Sequence, residues 1–209
     1  MTLQAFQRLQ AALVLDREQA ARIARGELGE LGEQLTDVER ERLVSQASDP
    51  GMRLTRTLHH GWRFTKLLTL MPLTFGVGDP DELAERVREF WAGHLPHGLY
   101  FEAEAARFAV FLVRRTPVGT ALADAAALEG AMLALGMRPP GGPEPGVVLH
   151  LGHEPQRLAS ETTTAPRREV DVAVVATPDG PRVAALPCHD QCALRSGVRT
   201  AEALELLLV

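Results

Sequence analysis

Nine consecutive residues, 138–146, contain four prolines and three glycines. Neither a helix nor a central strand tolerates that composition, because proline removes a backbone donor and glycine adds freedom that regular structure must suppress. The chain is therefore expected to fold as two parts, residues 1–137 and 147–209, joined by a Pro/Gly linker at 138–146. Before the linker, apolar residues recur every three or four positions; after it they tend to alternate. The expected class is α+β: an N-terminal all-α bundle of five or six helices, then a small domain built from a β-hairpin and a helix.

Leu3, Phe6, Leu9, Leu13 and Val14 mark one face of a helix over residues 3–25. Thr36 followed by Glu39 reads as a capping box opening a helix that runs to about Ser48, where Asp49-Pro50-Gly51 breaks the chain. A third helix is expected over 52–70, ending before Pro72. Asp79-Pro80-Asp81-Glu82 combines an N-cap acid, a first-turn proline and carboxylates on the positive helix end. Two further helices are expected over 102–114 and 120–135, the last closed by Gly136 as C-cap. Beyond the linker, 147–151 and 170–176 read as strands, and Thr177-Pro178-Asp179-Gly180-Pro181 as the turn returning the chain into 182–186. Thr200 caps an expected final helix over 201–208.

The formal net charge of −5 excludes a generally basic, phosphate-seeking surface, so nucleic-acid binding is not expected. The segment 201–208 is acidic and apolar, unlike a recognition helix. No apolar run approaches the roughly 20 residues of a membrane span, and the N-terminus lacks the order of a signal peptide, so a cytoplasmic location is expected.

Four groups of side chains are candidates for chemistry. Cys188 and Cys192 could join His150 and His153 in a Cys2His2 zinc site, but the spacing is not a standard one. The plainer reading is two small thiols and two surface histidines, so no metal and no cofactor is expected. Arg56, His59, His60, Arg63 and Lys66 share one helical face that no acid dilutes, a candidate grip for an acidic partner. Asp79 with Glu82 serve as caps, and Glu102 with Glu104 have no partner for acid/base work. No phosphate loop, nucleophile elbow or HExxH motif is present, so no catalytic residue is assigned. The alternating run 170–176 is a candidate sheet edge able to take up an extended peptide, through Val170, Val172, Ala173 and Val174; an ordinary interior strand is the equal alternative.

Several segments, taken in order, resemble one bacterial family. They are Arg63-Phe64-Thr65-Lys66-Leu67-Leu68-Thr69-Leu70-Met71-Pro72-Leu73-Thr74, the acid-capped helix over 81–91, and His94-Leu95-Pro96-His97-Gly98-Leu99-Tyr100. Leu122-Ala123-Asp124-Ala125-Ala126-Ala127-Leu128-Glu129 and the C-terminal hairpin follow. Together they are similar to the partner proteins of multinuclear non-haem iron enzymes that modify ribosomally made peptides, a family first labelled DNA-binding and including the methanobactin pathway's partner subunit. Leu58-His59-His60 stands where the family often carries a tyrosine–arginine pair. The resemblance implies a non-catalytic subunit that binds the leader of a precursor peptide and docks it, as a heterodimer, on a TIM-barrel iron enzyme. Arg56, His59, Arg63 and Lys66 would then meet the enzyme, and Val170, Val172, Ala173 and Val174 the leader. The family's older label implies the alternative of a sequence-specific DNA-binding regulator.

Overall fold

A computed structural model describes residues 3–94, 101–137, 146–160 and 166–186. These form ten helices and a three-stranded antiparallel sheet, an α+β architecture. Cys188, Cys192, Thr200, the expected helix over 201–208, and nearly all of the Pro/Gly stretch (138–145) lie outside the described residues, as do 95–100. None of the described helices is long and apolar enough to cross a membrane.

The chain forms two compact units, residues 1–65 and 66–209. The first contains α1 (Leu3–Leu15), α2 (Arg17–Ala24), α3 (Gly29–Glu33), α4 (Asp37–Ser48) and most of α5 (Pro50–Leu70). The single helix expected over 3–25 is two, because the Asp16 side chain accepts the Gln19 amide at 2.9 Å and caps a fresh start. The capping box is present in both directions: Thr36 N donates to Glu39 Oε2 at 2.9 Å, and Glu39 N to Thr36 Oγ1 at 3.3 Å. Leu9, Leu13, Ile23 and Leu43 fill the core of this unit.

The second unit holds the end of α5, then α6 (Pro72–Val77), α7 (Pro80–Gly93), α8 (Phe101–Arg115) and α9 (Ala121–Gly136). It continues with β1 (Gly146–Leu151), α10 (Pro155–Ser160), β2 (Val170–Thr177) and β3 (Gly180–Ala185). Pro72 ends one helix and opens another, as a residue with no amide to lose can at a first turn. Asp79 caps α7 by accepting from Asp81 N and Glu82 N. Every residue from Ala123 to Ala131 is buried, so α9 needs cover on all sides. It packs against α8, and it places Leu128, Ala131 and Leu135 on Leu149 and Leu151 of β1 and Val172 and Val174 of β2. Burying each of these leucine and valine side chains contributes about 1.5–3 kcal/mol.

Two expectations change here. A division at 138–146 was expected, yet α9 shares a core with the strands that follow that stretch, and the compact units part inside α5, between Thr65 and Lys66. A largely apolar helix and a three-stranded sheet each have a face to bury, and they bury it together. Gly136 is also no left-handed cap: it is the last helical residue, and Met137 follows at φ −82°. Positive φ is used at Gly180 (φ 112°), which closes the two-residue Pro178-Asp179 turn between β2 and β3.

Candidate functional site

The sheet order is β1-β2-β3, so β2 is hydrogen-bonded on both sides. This corrects the assignment of Val170, Val172, Ala173 and Val174 as a peptide-accepting edge: their backbone groups already serve the ladder. The phase follows from one bond, Leu186 N to Asp171 O at 2.8 Å, which makes 171, 173, 175 and 177 face β3. Residues 170, 172 and 174 then face β1, through Leu151, Leu149 and Val147. The outward amides and carbonyls are those of Gly146, Val148 and His150 on β1, and of residues 181, 183 and 185 on β3. Pro181 has no amide to offer, so β3 is guarded at that position. Among the described residues, β1 is the less guarded edge.

His150 and His153 are engaged separately. The His150 ring pairs with Asp171 across the β1–β2 ladder. His153 Nδ1 lies 2.7 Å from Asp124 Oδ2, which also accepts Gly152 N at 2.8 Å. Burial pushes the Asp124 carboxyl up from its ordinary value, against the opposing hydrogen bond from His153. Asp124 and His153 are both buried, so the pair fastens α9 to the turn after β1 and offers no open proton path. Among the described residues no three His, Cys, Asp or Glu side chains gather as a metal ion requires.

A second carboxylate on α9 fastens the other side. Glu129 Oε1 accepts Leu73 N at 2.7 Å, while its Oε2 accepts Thr74 N at 2.9 Å and Thr74 Oγ1 at 2.7 Å. These are first-turn donors of α6 that no intrahelical carbonyl can reach. Burial raises the Glu129 carboxyl above its usual range, opposed by the bonds from Thr74 and Leu73. Glu129 also lines a cleft of about 940 Å³ with Leu70, Leu73, Met132, Leu133 and Pro181. Glu104, beside Glu102, accepts the Trp91 indole N–H at 2.7 Å and holds α7 to α8.

The expected partner face of α5 is partly withdrawn from solvent. Arg63 is only 2% exposed, and Arg56, His59 and Lys66 are half-buried. Arg56 Nε donates to Leu13 O at 2.8 Å, and His60 Nε2 lies 3.3 Å from Leu15 O. Those carbonyls belong to the last turn of α1, which lacks intrahelical donors and attracts cations. Arg56 and His60 therefore serve the carbonyl end of α1, and Arg63 is withdrawn from solvent. Burial lowers the His60 pKa, and the nearby Arg63 and Arg56 push the same way, so the ring is held neutral and donates to Leu15 O.

Sequence reasoning missed β1 as the open edge, though Pro181 was the available signal. A proline in β3 marks an outer strand, which leaves only the β2 side of the hairpin for a third strand. No family model, no curated protein and no solved structure matches this chain.

Proposed function

We propose that the chain is a non-catalytic partner subunit that holds a ribosomally made precursor peptide and presents it to a TIM-barrel multinuclear iron enzyme in the cytoplasm. The observation that carries this reading is the outer edge of β1. Gly146, Val148 and His150 turn their backbone groups away from a sheet whose far face is already packed on α9. An extended leader adding there gains main-chain hydrogen bonds, with selectivity from side chains on alternate positions. The segments behind the family resemblance also support it: Glu129 of the Leu128-Glu129 motif binds Leu73 and Thr74 of the Pro72-Leu73-Thr74 motif, so two distant signatures share one buried cluster.

The test uses a labelled synthetic leader from a precursor encoded beside this chain. Val148→Pro deletes an outward amide and keeps the ladder, so binding should weaken about tenfold or more at similar thermal stability. Wild-type affinity in a folded Val148→Pro protein would place the leader elsewhere.

A further inference from the structure

Glu129 is only 5% exposed, and it has no counter-ion among the described residues. The groups that hydrogen-bond its oxygens, Leu73 N, Thr74 N and Thr74 Oγ1, are all neutral. They are also all donors, so both oxygens are held in the acceptor role of the ionised form. Neutral donors solvate a carboxylate but leave its net charge in place, and a buried charge is ordinarily matched by an opposite one. The unmatched charge borders the cleft of about 940 Å³. That volume lies within the ~300–1,000 Å³ typical of small-molecule sites. Leu70, Leu73, Leu133 and Pro181 give it apolar walls, and the flexible side chains of Met132 and Met137 can adjust to an irregular shape. Its other ionisable lining residue is Glu102, an exposed carboxyl in the first turn of α8. The described lining therefore holds two acids and no Lys, Arg or His. All of it belongs to the second unit.

We infer that this cleft binds a small organic cation, an ammonium group carried on an apolar body, with Glu129 and Glu102 as its anionic partners. The ammonium meets Glu129 from the buried side and Glu102 from the exposed side, while the body displaces water from the leucine and methionine walls. An anionic ligand would face two like charges. A neutral one would leave Glu129 unmatched. A lysine side chain from a docked peptide brings the same head group but fills little of the volume, so a free amine with a larger apolar body is the better fit. The site is separate from the open edge of β1, because Pro181 belongs to β3 on the other side of the sheet.

The experiment titrates the full chain calorimetrically with hexylamine, hexanol and hexanoate, which share a body and differ in head group. Hexylamine should bind with a dissociation constant of about 1 mM or tighter, and about tenfold tighter than hexanol. Hexanoate should bind weakest. Glu129→Gln should cut the amine-over-alcohol preference about tenfold, and Glu102→Gln about twofold, as the more exposed charge contributes less. The preference is a ratio read within one protein, so a loss of stability in Glu129→Gln does not imitate it. Ala103→Leu, which fills the cleft from a half-buried position on α8, should weaken amine and alcohol alike. Equal binding of amine and alcohol by the wild type would overturn the proposal, as would a preference that survives both glutamine variants. Hexylamine that fails to bind at millimolar concentration would overturn it too. Acetyl-lysine amide binding as tightly as hexylamine would give the cleft to a peptide side chain and overturn the free amine.

Discussion

Three donors converge on one side chain at Glu129, and none of them has another acceptor close by in the helix it begins. Glu129→Ala leaves Leu73 N, Thr74 N and Thr74 Oγ1 without it, and the loss should be about 2–4 kcal/mol in chemical unfolding. Glu129→Gln should lose less, since the amide oxygen keeps part of the bonding. The raised carboxyl adds a pH signature. A folded pKa above the unfolded value of about 4.5 means that the carboxyl's contribution is fully present below that pH. It is then lost as pH rises through the folded value. Wild type should therefore exceed Glu129→Gln by more at pH 4.5 than at pH 7. Unfolding curves at the two pH values check this, and a constant gap would remove the burial argument. Asp124, shifted the same way by burial, should give the same sign of slope.

Among the elements, β1 and β2 make the sharpest contrast. Leu149 N–H belongs to the ladder with Val172, whereas Val148 N–H points out. Leu149→Pro should lower the melting temperature strongly, while Val148→Pro should leave it nearly unchanged; similar losses in both would mean that the ladder phase is wrong. Much of this level was legible beforehand. Thr36/Glu39 and Asp79-Pro80 are caps whose chemistry is local, and the structure has both. The hairpin was equally readable, because Pro178-Asp179-Gly180 encodes its turn within five residues. What escaped was partnership at a distance. That Arg56 of α5 reaches Leu13 O, 43 residues away, leaves no trace in a helical pattern. A cationic stripe looks the same whether it meets water or the carbonyl end of another helix. The order of the strands escaped for a similar reason, since a run such as Val170–Thr177 alternates whether it is central or outer.

At the level of the whole molecule, two separate cores, one around Leu9 and Leu43 and one around Leu128 and Val172, should unfold as two calorimetric transitions. Leu9→Ala should lower one of them, at a cost of about 2–5 kcal/mol, and leave the other in place. A single transition shifted by either core change would show the units to be one cooperative body. Finally, α9 completes its burial only with strands made after it. Between Gly136 and Ala185 the ribosome adds 49 residues (185 minus 136), which at about 5–20 residues per second takes roughly 2–10 s. Throughout that interval the nascent chain displays a helix whose Leu128, Ala131 and Leu135 have nowhere to go. A fragment ending at residue 137 would be held in that state permanently, so it should aggregate or be captured by chaperones. The intact protein should depend on chaperones only while it is being born.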